Sequence, residues 1–276
     1  MPHHYFCRMK YVSAFIVIAI LWSCHSSDTK TTTAQPEKNL QQEMIASLKQ
    51  QLNAKPDSAG LRLRLITVLD SAGLFKEALQ HIDSLTSKDS SNYGLWFTKG
   101  LVAEDAGDTL LAEESYLKAI NVYRSPDAML ALANLLAEQK DERCLLLAKQ
   151  VKEMGLGREY DAHAAFVKGV YNARTLNKAK AIQFFNECIA NNYTYMEAYI
   201  EKGLVYFDNK QFDSALNIFS FAASVNNHYA DAIYYQARCY EMMNKKDSAV
   251  LKFKQSLTLD KELAEAHEAL KRLGAE

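Results

Sequence analysis

Residues 197–226 read EAYIEKGLVYFDNKQFDSALNIFSFAASVN, and within this stretch the pair Gly203 and Ala215, twelve positions apart, decides the fold. Sliding the chain along itself by 34 residues brings alanine onto alanine: Ala181, Ala215 and Ala249 are evenly spaced, and Ala78 and Ala112 keep the same interval. A small residue also stands twelve positions before an alanine at Gly100, Gly169 and Ala237. A fixed period of this length marks a helical repeat, in which each hairpin buries its faces only against its neighbours. Small residues suit the crossing of two helices, because a larger side chain would overpack the contact at a cost of about 1–3 kcal/mol.

The aromatic residues carry a family resemblance. Trp96 and Tyr199 stand four residues before a glycine, and Tyr206 and Tyr240 three after the small position. Phe75 and Phe212 open second helices, while Tyr116, Phe185, Phe219 and Phe253 each follow the alanine by four. In these positions the chain resembles the tetratricopeptide repeat family. The resemblance implies an all-α, right-handed superhelix of about six hairpins over residues 57–260. Residues 126–157 depart from the pattern: Cys144 or Leu145 replaces the alanine, and choosing Cys144 shifts the spacing to 32 before and 37 after. That irregularity, with Gly155 and Gly157 closing it, is expected to bend the superhelix or to break it into two packed groups.

Helix punctuation fits the same frame. Gly73 and Gly107 fall in turns within hairpins, and Pro56 and Pro126 precede first helices. An N-terminal capping helix is expected over residues 37–55, with Leu40, Met44, Ile45, Leu48 and Leu52 as its apolar stripe. A second cap is expected over residues 261–276, with Leu263, Ala266, Leu270 and Leu273 inward. The recurring Asp-Ser-Ala triplets at Asp57, Asp70, Asp213 and Asp247 resemble O-glycosylation acceptors of Bacteroidota. They also read as helix starts, where acidic and hydroxyl groups satisfy free backbone amides.

The first residues give an address. Arg8 and Lys10 precede YVSAFIVIAILW, residues 11–22, and a helix of that length reaches only about 18 Å against a hydrocarbon core of about 30 Å. A basic start, a short apolar run and a small residue before a break are the marks of a secretory signal. Leu21-Trp22-Ser23-Cys24 resembles a bacterial lipobox, which implies a signal peptide over residues 1–23 and acylation of Cys24. A signal anchor with an incidental cysteine is the other reading, and Met9-Lys10 is a second possible start. Residues 24–36 are polar and suit a flexible tether. The resemblance implies a cell-envelope protein held by lipid: His25 stands where inner-membrane lipoproteins commonly carry aspartate, and only Asp28 is acidic nearby, which favours the outer membrane facing the periplasm.

Composition removes several function classes. The chain has 276 residues with a formal charge of −1, and its 32 lysines and arginines balance 33 aspartates and glutamates. No basic stripe speaks for nucleic acid. No GxxxxGK or GxGxxG is present, and His267-Glu268 does not complete an HExxH. Cys7, Cys24, Cys144, Cys188 and Cys239 show no metal-ligand spacing, so no metal and no cofactor is expected. Cys144, Cys188 and Cys239 read as buried small hydrophobes. His81, His163, His228 and His267 pair with no identifiable nucleophile or carboxylate, so catalysis is not expected and no small-molecule substrate is evident.

What remains is an interaction surface for a protein or peptide. The resemblance implies that the first helix of each hairpin lines a concave groove, chiefly through its second, fifth, ninth and twelfth positions. Those positions hold Leu63, Phe97, Leu101, Phe166, Val170, Ile200, Leu204, Tyr234 and Arg238, with Thr67 among them. Members of the family that clamp a peptide carboxylate use lysine, asparagine and arginine there, and this chain does not. An apolar strip with Glu197, Glu201, Asp208, Asp231 and Glu241 near it suits an amphipathic helix or an extended apolar peptide with basic flanks. The competing reading is that superhelical curvature buries the strip as ordinary core. A glycan-binding lipoprotein of a polysaccharide-uptake system is the alternative function; Trp96 is placed for packing rather than as a sugar platform.

Overall fold

The computed structural model describes residues 34–275, and those residues form fourteen α-helices and no strand. The expected signal peptide, Cys24 and the tether as far as residue 33 lie outside the described residues. Helix α1 (Ala34–Ala54) begins inside the last three residues assigned to the tether. It is followed by α2 (Ala59–Ser71) and α3 (Phe75–Thr86), then α4 (Tyr93–Asp105) with α5 (Thr109–Val122) and α6 (Pro126–Glu138) with α7 (Arg143–Glu153). The chain continues with α8 (Arg158–Arg174) and α9 (Lys178–Asn191), α10 (Met196–Asp208) and α11 (Phe212–Val225), α12 (Ala230–Met242) and α13 (Lys246–Leu259), and ends on α14 (Ala264–Leu273).

The chain divides into two compact units, Met1–Leu74 and Phe75–Glu276. The division therefore falls between α2 and α3, not at Gly155 and Gly157 as the irregular spacing suggested. One core explains why. A single cluster of buried side chains runs from Ala103 on α4 through α6 and α7 to Ala198 and Val205 on α10. Gly155 and Gly157, at φ of +63° and +103°, only turn the chain between α7 and α8.

Starts and stops follow local chemistry. Ser58, Asn92 and Asp108 cap α2, α4 and α5 by accepting from the amides of Leu61, Gly94 and Leu111 at 3.4, 3.1 and 3.0 Å. Pro126 occupies the first turn of α6, where its missing N–H costs nothing. Asp213 and Asp247 sit in first turns, as their triplets suggest. Asp70 does not: its triplet closes α2 instead of opening a helix. First helices end alike, with one left-handed residue at Gly73, Gly107, Lys140, Leu176, Lys210 and Asn244. The next amide then reaches back five residues, as Gln211 N–H does to the Tyr206 carbonyl at 3.0 Å. Only two of these six turns carry the glycine that sequence reading looks for.

The hairpin interior is built on a spacing of 16. An added Cβ on Gly169 would lie 2.5 Å from the Phe185 ring, and Gly100 and Gly203 crowd Tyr116 and Phe219 in the same way. The glycine thus makes room for the aromatic ring of the second helix. Ala112, Ala181, Ala215 and Ala249 are wholly buried, as are Tyr116, Phe185, Phe219 and Phe253. In the irregular repeat Cys144, not Leu145, takes the alanine's place: it is wholly buried, while Leu145 is half-buried.

The ends are covered unequally. Within the first unit α1 packs on α2 and buries Ile45, Leu48 and Leu52, whereas Leu40 and Met44 of the expected stripe are exposed. At the other end Ala266, Ala269 and Leu270 of α14 are buried, with Leu263 and Leu273 against the same cluster. The remaining face of α14 carries Glu265, His267, Glu268, Lys271 and Arg272, which suits contact with water.

Candidate functional site: the face of the first helices

Within the second unit α6 packs on α8, α8 on α10 and α10 on α12, in addition to the packing within hairpins. First helices therefore stand side by side and present one continuous face. The apolar residues assigned to it divide by exposure. Phe166, Val170, Ile200 and Tyr234 are buried at 6, 1, 8 and 7% exposure. Phe166 packs on Phe185 and Tyr195, and Tyr234 on Tyr235 and Phe253, with ring centroids 5.0–6.0 Å apart. Phe97, Leu101, Leu204 and Arg238 are half-buried, as is Leu63 in the first unit.

Polar groups occupy much of what these side chains leave open. The Arg174 guanidinium, from the last turn of α8, forks onto Glu138 of α6 at 2.8 and 3.0 Å and onto Glu201 of α10 at 2.8 and 3.0 Å. Burial works against the charge of Arg174, but the bonds to Glu201 and Glu138 outweigh it and hold the guanidinium above its ordinary range. Burial raises Glu138, and Glu201 adds to the rise while Arg174 offsets part of it. Glu104 is also raised, first by burial, although it accepts a 2.6 Å bond from the Tyr116 hydroxyl. Glu197 and Asp208 are raised by burial and by Asp231 and Glu201 respectively. Carboxylates on neighbouring first helices thus raise one another.

Between α12 and α14 the face opens into a cavity of about 400 Å³. Arg272 holds Glu241 there through three contacts of 2.7–3.0 Å. Arg238 donates to the Tyr234 hydroxyl at 3.0 Å, and its guanidinium lies 5.7 Å from the Phe207 ring. Glu104, Glu138, Arg174 and Arg272 were not among the residues read from sequence. A signal existed for two pairs: Glu138 follows Glu104, and Arg272 follows Arg238, by one repeat of 34.

The other candidates are structural. Cys144, Cys188 and Cys239 are buried free thiols, and burial pushes Cys144 and Cys239 up to about 12, away from the reactive thiolate. His163 is held down to about 4 by burial, and the His267 ring meets the Lys261 carbonyl at 2.9 Å. Trp96 donates to the Ser90 carbonyl at 2.9 Å, with the ammonium groups of Lys118 and Lys99 at 4.6 and 5.6 Å from its ring. Among the described residues no group of three or more histidine, cysteine, aspartate or glutamate side chains is placed to hold a metal ion.

The chain has the fold of tetratricopeptide-repeat proteins. The profile of the tetratricopeptide repeat matches residues 93–126, which span α4, α5 and the turn into α6. A tetratricopeptide repeat protein from Parabacteroides merdae superimposes with a TM-score of 0.70 at 17% identity, covering 86% of this chain and 94% of that one. PilW, described as a widely conserved type IV pilus biogenesis factor, gives 0.61 at 14% identity over 78% of this chain and 99% of its own. Yeast Tom70 gives 0.56 at 15% identity over 89% of this chain and 60% of its own. At these identities the likeness is one of fold. No curated protein matches the chain in sequence.

Proposed function

We propose that the protein is a lipid-tethered scaffold of the cell envelope, an accessory subunit of an assembly or secretion complex that holds a segment of a partner protein on the face of its first helices. The observation that carries this reading is the unbroken run of first helices α6, α8, α10 and α12, with Leu204 half-buried at its surface; Leu101, on the preceding first helix α4, is half-buried as well. The fold shared with PilW is in keeping with an envelope role. The lipobox at Leu21–Cys24 supports acylation at Cys24 and an anchor in the outer membrane facing the periplasm. No described helix is long and apolar enough to cross a membrane.

A photo-cross-linking residue at Leu204 in growing cells tests the groove: a discrete adduct to one envelope protein is expected, and its absence there and at Leu101 overturns the reading. Labelling with an alkyne fatty acid tests the anchor, since wild type should take up label and Cys24→Ala should not. A glycan-binding role draws no support from Trp96, whose ring is attended by two lysines.

A further inference from the structure

The cavity between α12 and α14 has walls of opposite chemistry. Arg238 carries five N–H donors, yet it has one hydrogen bond, to Tyr234; its Nε is buried 3.7 Å from the Glu241 carboxylate, too far to bond. Facing it on α14, Glu265 and Glu268 stand three residues apart on one side of the helix. Both are exposed carboxylates to which no described side chain is paired. Tyr234 and Met242, four residues before and after Arg238 on α12, line the cavity as well. Arg272 is committed to Glu241, so two arginines against three glutamates leave the lining one negative charge in excess.

We propose that this cavity receives a lysine or arginine side chain from an internal stretch of the partner polypeptide. The aliphatic stem lies along Tyr234 and Met242, the cationic head reaches Glu265 and Glu268, and a main-chain carbonyl of the same stretch accepts from Arg238. A peptide supplies both kinds of group at once, which accounts for spare donors on one wall and spare acceptors on the other. An acidic side chain aimed at Arg238 meets Glu241, Glu265 and Glu268 around it. The volume lies in the range of clefts that enclose a ligand group. The inference rests on the groove reading above and assigns its C-terminal end.

The test uses the full chain in detergent and a fluorescent 12-residue peptide with both ends blocked, carrying two lysines among apolar residues. Its norleucine and glutamate counterparts serve as controls. Binding to the lysine peptide should exceed binding to the norleucine peptide by about tenfold or more. It should weaken by a similar factor in the Glu265→Gln/Glu268→Gln variant, whose circular dichroism and Tm should match wild type because both residues are exposed. Equal binding of lysine and norleucine peptides, indifference to the double substitution, preference for the glutamate peptide, or no binding of any of the three overturns the assignment. An adduct at Leu204 together with any of those results leaves the groove standing and removes only the pocket.

Discussion

The regular hairpin α10/α11 and the irregular hairpin α6/α7 build the same interior from opposite parts. In α10/α11 the space is opened on the first helix by Gly203 and filled from the second by Phe219, sixteen residues on. In α6/α7 the equivalent positions, twelve before and four after the buried Cys144, are Leu132 and Ala148, both buried in the same cluster. The bulk has moved from the second helix to the first. Nine of the thirteen residues of α6 are buried, so this helix is apolar on nearly every side, whereas α10 keeps Lys202, Tyr206 and Asp208 at or near the surface. A repeat motif is thus one solution to a volume constraint, and a volume-conserving exchange leaves the motif while keeping the packing.

The largest expected effect forces that exchange halfway. Gly203→Leu alone should abolish cooperative unfolding, because even one carbon at this position overlaps the Phe219 ring. Adding Phe219→Ala imports the arrangement of the third hairpin and should restore a cooperative thermal transition. If the double variant is no better folded than the single one, the two hairpins are not equivalent in the way their spacing implies.

Next in size is the tie between the two regions, since Arg174 holds Glu138 of the irregular repeat to Glu201 of the regular one. Arg174→Met should cost about 3–5 kcal/mol in chemical denaturation, because it leaves two partly buried carboxylates facing each other. A loss below about 1 kcal/mol would mean that the repeats are joined by apolar packing alone.

A smaller and opposite effect follows from pH. Glu104, Glu138, Glu197 and Asp208 are raised in the folded protein, mainly by burial. A carboxyl whose folded pKa exceeds its unfolded value contributes stability that is complete below the unfolded value and lost as pH rises through the folded one. Relative to wild type, the Tm of Glu104→Gln should therefore gain less, or lose more, as pH falls from about 7 to about 5. Glu114 and Asp141, lowered by Lys118 and Arg143, act in the other direction but lie at the surface, and the buried His163, held down to about 4, acts in the other direction in wild type and variant alike. A Glu104→Gln variant whose Tm follows pH as wild type does contradicts the electrostatic account of the face.

The smallest effect asks whether the two hairpins share their turn. Lys140 and Lys210 both adopt left-handed conformations, at φ of 62° and 59°. Lys140→Gly and Lys210→Gly should each stabilise by about 0.5–1 kcal/mol, the relief of the left-handed penalty less the added freedom of the unfolded chain. Clearly unequal gains would show that the irregular repeat strains its turn in a way the regular one does not.

The sequence by itself determined the helix pairs, their order and their period, since small and aromatic residues at fixed offsets admit one way of stacking hairpins. Ala112, Ala181, Ala215 and Ala249 were legible for that reason, and Cys144 nearly so. Leu132 and Ala148 were not, because a large-for-small exchange is visible only when both halves of the contact are seen together. The turns at Lys140, Leu176, Lys210 and Asn244 were hidden too, since residues other than glycine adopt φ > 0 when the surrounding hairpin pays the strain. Only the tertiary structure decided what the face of the first helices offers. Side-by-side packing of α6, α8, α10 and α12 draws Phe166, Val170, Ile200 and Tyr234 into the core, closes Arg174 over Glu138 and Glu201, and leaves the Arg238 cavity open. Periodicity fixes which way a side chain points, but the distance between neighbouring helices fixes how much of it water can reach.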